Sequence, residues 1–212
     1  DVETLSLAFA DRLGAALVES VSAEAPVSAR IVRVVDDGAG SGGDYYLMQD
    51  GEAVPLYWFA SPETAREWTG YWQQLGVHDA YETEIFLPVD PEVTGPRARV
   101  GVRLYAFDTE SDASAFVSAF EEDLRGSGAM SVRELSDAPH FGDESRTFQF
   151  ETDWWSDVDP EFRTATTIRV GRTVASIEVG AAAAAPLEVI SQIAARQESC
   201  LERGCSTLTF PA

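Results

Sequence analysis

A strand–helix junction that occurs twice constrains this chain more than any other feature. Residues 56–68 read Leu-Tyr-Trp-Phe-Ala-Ser-Pro-Glu-Thr-Ala-Arg-Glu-Trp, and residues 104–116 read Leu-Tyr-Ala-Phe-Asp-Thr-Glu-Ser-Asp-Ala-Ser-Ala-Phe. They align without a gap at an offset of 48. Leu56/Leu104, Tyr57/Tyr105, Phe59/Phe107 and Ala65/Ala113 are identical, and Ser61/Thr109 and Trp68/Phe116 are chemically equivalent. Each position has a physical task. Leu, Tyr and Phe end a strand. Ser61 or Thr109 caps the first helical turn. Pro62 sits at the first helical position, where its missing donor costs nothing. Glu63, like Glu110 and Asp112, favours the positive helix end. Ala65 and Ala113 admit the helix to the sheet, and Trp68 and Phe116 pack down on it. The bland reading is two ordinary junctions that coincide; six matches in thirteen positions favour a repeated unit.

Around these units the periodicity predicts an α+β fold. Leu5, Phe9, Leu13, Ala16, Leu17 and Val21 place an amphipathic helix over Thr4–Val21. Val27–Val35 reads as a strand. Gly38–Gly43 reads as a flexible connector; it has no following Lys-Ser/Thr and does not lead into a helix, so it is no phosphate loop. Tyr45–Gln49 and Ala53–Phe59 flank Asp50-Gly51, a hairpin signal. After the second junction come strands at Ser131–Leu135, Arg146–Glu151, Ala165–Val170 and Thr173–Val179, with a tight turn at Gly171-Arg172. Pro186 opens a final helix to about Leu201 that presents Val189, Ile190, Ile193 and Ala194 on one face. The expected architecture is a mostly antiparallel sheet with helices on one face. The expected organisation is a single domain over 1–212, or two fused similar halves (1–95 and 96–205), with a C-terminal tail at 206–212.

Charge narrows the partners. The chain of 212 residues has 36 Asp plus Glu against 15 basic residues, a formal net charge of -21. All the basic residues are Arg; there is no Lys and no Asn, which reads as a GC-rich genome. Such a field repels phosphate backbones and anionic headgroups, which argues against nucleic acid and electrostatic membrane docking. A saline habitat would also fit. No stretch is apolar over enough residues to span a bilayer. The chain begins at Asp1 without a basic and apolar leader, which fits either a cytosolic protein missing its Met or a processed chain whose signal or lipid anchor is absent; the paired cysteines favour the second. Cys200 and Cys205 are spaced wrongly for zinc or a thioredoxin-type site. Gly204 allows the chain to double back, so a Cys200–Cys205 disulfide is expected, against two inert thiols, and it points to an extracytoplasmic location.

Candidate sites are few. His78 and His140 are the only histidines, and each is read in a turn. His140 with Asp143, Glu144 and Ser145 is the one arrangement from which a hydrolase could be built, but no Gly-x-Ser-x-Gly elbow exists, and no catalytic residue is assigned. Asp153, Asp157, Asp159 and Glu161 offer hard oxygen ligands of the type calcium takes, without the ligand order or central Gly of an EF-hand; the plainer reading is a solvated acidic loop. Trp154 and Trp155 stand in the same stretch. Adjacent residues of a strand face opposite ways, so one indole is free for a partner unless the loop folds over the sheet. Asp153, Trp154, Trp155 and Asp157 are therefore the expected contact surface. No cofactor is expected.

The run from Val102 to Cys200 resembles the extracytoplasmic lipoproteins and sensor-type domains of GC-rich bacteria. The likeness rests on the Phe107-Asp-Thr-Glu-Ser-Asp-Ala helix start, the Gly142-Asp143-Glu144 turn, the Arg169–Ala175 hairpin and the last helix. It implies an antiparallel sheet with helices, a tethered or secreted location, and binding of a ligand or partner without catalysis; it supplies no functional residues. Three readings follow: a non-catalytic binding module for a small ligand, glycan or protein; a structural subunit of a surface or envelope assembly; and a hydrolase centred on His140 and Asp143.

Overall fold

The computed structural model describes residues 30–31, 33–36, 41–49, 51–53, 67, 70–87, 98–152, 161–181, 187–203 and 207–210. In chain order the elements are β1 (Arg33–Asp36), β2 (Ser41–Gln49), β3 (Glu52–Ala53), β4 (Val77–Leu87), β5 (Ala98–Phe107), α1 (Glu110–Gly126), β6 (Met130–Glu134), β7 (Glu144–Thr152), β8 (Glu161–Val170), β9 (Thr173–Ala181), α2 (Leu187–Arg203) and β10 (Thr207–Phe210). Residues 70–74 are also helical. Among the described residues, eight strands form one sheet in the order β3-β2-β4-β5-β9-β8-β7-β6, and β1 pairs with β10 in a second, two-stranded sheet. Every pairing in the large sheet is antiparallel, while β1 and β10 run parallel. The α+β class and the mostly antiparallel sheet are thus as the sequence indicates.

The second strand–helix unit has the form its residues dictate. Thr109 is the N-cap of α1, with extended backbone and a side chain that accepts from the Asp112 N–H at 3.1 Å. Ala113 is fully buried where α1 meets the sheet. Phe116 packs on the strand end, its ring centroid 4.9 Å from that of Tyr105 and 5.3 Å from that of Phe107. The first unit, 56–66 with Trp68, lies outside the described residues, as does the helix expected at Thr4–Val21.

Among the described residues the two long helices lie on opposite faces of the sheet, where the sequence reading places the helices on one face. Side chains alternate along a strand, and β5 shows both sets. Val100, Val102, Leu104 and Ala106 share a core with Val189, Ile190, Ile193 and Ala194 of α2. Tyr105 and Phe107 share another with Ala113 and Val117 of α1. A strand whose successive residues are both buried belongs at the centre of a sheet, which is where β5 and β9 lie.

Three local expectations change. The connector expected at Gly38–Gly43 gives way at Ser41, where β2 begins; Ser41, Gly42 and Gly43 pair with Phe86, Ile85 and Glu84. Residues 77–87, to which the sequence reading assigns no strand, form β4, one of the two longest pairings of β5. His78 accordingly lies in a strand and not in a turn. It sits at an irregularity between Val77 and Asp79, with its Nδ1 3.4 Å from Asp108 Oδ1.

The segment from His140 to Ser145 builds a corner. Gly142 adopts φ +60. Its N–H donates to Glu198 Oε1 of α2, and the Asp143 N–H donates to the Arg169 carbonyl at 2.8 Å. Asp143 Oδ2 accepts from the Gly171 N–H at 2.8 Å and from Arg169 Nη1 at 3.3 Å. The Asp143 carboxylate is thereby engaged by the β8–β9 turn. His140 Nδ1 lies 3.3 Å from Ser145 Oγ, and that hydroxyl accepts from the Phe141 N–H at 2.9 Å.

Candidate functional site

The residues expected to make contact, Asp153, Trp154, Trp155, Asp157 and Asp159, lie outside the described residues, and so does the side chain of Glu161. Their flanks are described. Thr152 and Glu161 pair at the end of β7 and β8. What stands beside that end of the sheet is a layer of charge.

Register places it there. On the α1 side of the sheet, Glu82 of β4 faces Arg103 of β5, and Glu84 faces Gly101. Gly101 faces Glu178 of β9, and Arg99 faces Gly180. Gly180 in turn faces Arg163 of β8. Three arginines and three glutamates therefore share one face across four adjacent strands. The glycine between the two β5 arginines leaves room for their neighbours: a Cβ on Gly101 would lie 3.7 Å from Glu82 Oε1 and 3.9 Å from Arg99 Nη2.

The six groups are paired throughout. Arg99 donates through Nε to Glu84 Oε2 at 3.0 Å, through Nη1 to Glu178 Oε1 at 3.1 Å and through Nη2 to Glu82 Oε1 at 3.4 Å. Arg103 Nε lies 2.8 Å from Glu82 Oε1. Arg163 Nη1 donates to Glu178 Oε1. Arg163 is 1% exposed, Glu82 6% and Arg99 7%. With three positive and three negative groups, the layer is formally neutral inside a chain of net charge -21.

Electrostatics agree with the geometry. Burial alone pushes the Glu178 carboxyl upward, but Arg163, Arg99 and Arg103 together outweigh it and hold it below the usual carboxylate range. Glu82 raises the Arg103 guanidinium against the effect of burial. Tyr105, next in the row, is pushed up to about 12, chiefly by burial and against the pull of Arg103. The arrangement holds charges in fixed places. It has no nucleophile–base pair, and no group of His, Cys, Asp or Glu able to hold a metal occurs among the described residues.

The sequence reading misses this layer. Its signal was present: Arg99, Arg103, Arg163, Glu82, Glu84 and Glu178 each alternate with apolar or small residues. Such alternation ordinarily marks a face in water. Only the register, which sets acid against base across strands, distinguishes a buried ionic layer from a wet one.

No family model matches the chain, and no curated protein matches it. Among solved structures, the fold is similar to the extracellular domain of PknH from Mycobacterium tuberculosis, with a TM-score of 0.48 at 12% identity over 85% of this chain and 98% of that one. It is also similar to LpqN, described as involved in cell envelope biogenesis of Mycobacterium tuberculosis, with a TM-score of 0.30 at 11% identity over 93% of this chain and 96% of that one.

Proposed function

We propose that the chain is a non-catalytic, extracytoplasmic binding module for a small ligand, a glycan or a protein partner. Its contact surface is the stretch from Asp153 to Glu161, with Trp154 and Trp155 as the aromatic anchors. The observation that carries this reading is the buried Arg99–Glu178–Arg163 network at the foot of that stretch. Ionic layers are poor stabilisers, because desolvation offsets their attraction and an apolar layer would serve as well. What six interlocked charges do provide is rigidity of strand ends. Binding loops work when a rigid scaffold positions them. The single-domain reading is supported by one sheet that takes strands from both 1–95 and 96–205. The extracytoplasmic reading is supported by the expected Cys200–Cys205 disulfide and fits a lipid anchor upstream of residue 1.

The test is a titration of the whole chain with soluble peptidoglycan fragments and chito-oligosaccharides, followed by indole fluorescence and calorimetry. Saturable binding that Trp154→Ala and Trp155→Ala each weaken about tenfold or more, and that His140→Ala leaves intact, supports the module. Binding that survives the double tryptophan variant unchanged refutes the assigned surface.

A further inference from the structure

In this acidic chain arginines are claimed by carboxylates. Arg99, Arg103, Arg146, Arg163 and Arg169 all lie in ion pairs with Glu or Asp. Arg133 and Arg172 donate instead to the Gln149 side-chain oxygen and the Asp108 carbonyl; Arg30 and Arg196 differ from all of these. Both are half-buried, and each has a guanidinium nitrogen sealed from water with no hydrogen-bond partner: Nε of Arg30 and Nη1 of Arg196. Burial lowers the pKa of both groups, with no opposing carboxylate.

The Arg30 backbone lies against the turn of α2 that begins at Arg196. The Arg30 carbonyl accepts from Gln197 Nε2 at 3.0 Å, and it lies 3.0 Å from Cys200 Sγ. Gln197 follows Arg196 directly, and Cys200 stands four residues beyond it, on the same flank of α2. This is the face opposite the ionic layer. A buried N–H without an acceptor costs free energy, and two of them on charged residues that flank the same stretch of α2 call for an acceptor with negative charge. The chain has an excess of carboxylates and sends none of its described ones here.

We infer that Arg30 and Arg196 form a binding site for a small oxyanion, a phosphate or carboxylate group, on the flank of α2. A guanidinium is shaped for this: its N–H groups meet two oxygens of such an anion at once. The net charge of -21 opposes an extended polyanion, so the ligand is a compact anionic group. The site is independent of the Trp154–Trp155 surface.

The test follows the side-chain Nε resonances of arginine in the whole chain, with inorganic phosphate or acetate added against chloride at constant ionic strength. Saturable shifts at Arg30 and Arg196 support the site; phosphate alone or both anions moving them decides which oxyanion it takes. Stabilisation against heat should appear in parallel, because a ligand bound to the folded state stabilises it. Arg30→Gln with Arg196→Gln should weaken binding about tenfold or more, the scale of charged hydrogen bonds. Arg30→Lys with Arg196→Lys keeps the charge for the case in which the first pair does not fold, and should also weaken binding, because an ammonium lacks the planar fork. No shift with either anion, or a stabilisation equal in wild type and variants, overturns the inference.

Discussion

Glu178 of β9 accepts from Arg99 of β5 across a strand pair, its Oε1 3.1 Å from Arg99 Nη1. The same carboxylate oxygen also accepts from Arg163 of β8. One acid thereby ties three adjacent strands. Removing it leaves two buried guanidiniums short of a partner, and Arg163 has no water to turn to. Glu178→Ala is expected to destabilise the fold by about 3–5 kcal/mol, the range for breaking one side of a buried pair. Arg99→Met combined with Glu178→Ala should destabilise by less than the sum of the two, with a coupling of about 0.5–3 kcal/mol. Urea denaturation of the four proteins measures it, and additive losses would show that the contact contributes nothing of its own.

Acid should act through the same residue. Glu178 is held below its ordinary value of 4.5, because the three arginines outweigh burial. Glu134 is held down as well, first by its hydrogen bond from Arg146. A carboxyl whose folded pKa is depressed binds fewer protons folded than unfolded. Its stabilisation is complete above the unfolded pKa and is lost as pH falls through the folded one. Stability should therefore hold above about pH 4.5 and decline below it. Glu178→Gln should flatten that decline. If the variant and the wild type lose stability in parallel on acidification, Glu178 is not a titrating element of the fold.

Much of the second half was legible from sequence. The order strand, helix, four strands, helix is what β5 through α2 form, and Val189, Ile190, Ile193 and Ala194 are buried as their helical spacing indicates. Those segments carry strong local signals: a Thr cap, a Gly-Arg turn, an apolar stripe. β4 was illegible because Val-His-Asp-Ala-Tyr-Glu-Thr-Glu mixes charge into a buried strand, and Glu82 finds its partner only through the register with Arg103. Arg30 and Arg196 were invisible for a related reason. Their peculiarity is an acceptor that does not arrive, and no sequence pattern records that.

Two glycines at turns separate space from conformation. Gly142 and Gly171 both have positive φ, +60 and +57. A Cβ on Gly142 would overlap the Arg169 carbonyl oxygen and press on Ile168 Cγ2 at 3.0 Å and Val170 Cγ2 at 3.1 Å. A Cβ on Gly171 would meet nothing within 4 Å. Gly171→Ala should therefore cost only the left-handed penalty, about 1 kcal/mol. Gly142→Ala adds a backbone clash at the hydrogen bond from Asp143 and should cost about 3 kcal/mol or more. Thermal and chemical denaturation of the pair checks the order, and equal losses would mean that the corner at Gly142 yields freely.

Redox state offers the remaining test. Cys200 is buried near the end of α2, no described cysteine is free, and Cys205 lies outside the described residues. Beyond it β10 pairs with β1, Thr207 with Arg33 through Phe210 with Asp36. A Cys200–Cys205 bond closes a loop around four residues and would anchor the path from α2 to β10. The chain should resist alkylation until it is reduced. Reduction should cost about 2 kcal/mol, the loop-closure value for so short a ring. Hydrogen exchange should locate the effect: amides of Val34, Val35 and Asp36 lose protection on reduction, while those of β5 and β9 keep theirs. Full alkylation of the unreduced, unfolded chain would show that the two sulfurs are thiols and that β10 is held by its pairing with β1 alone.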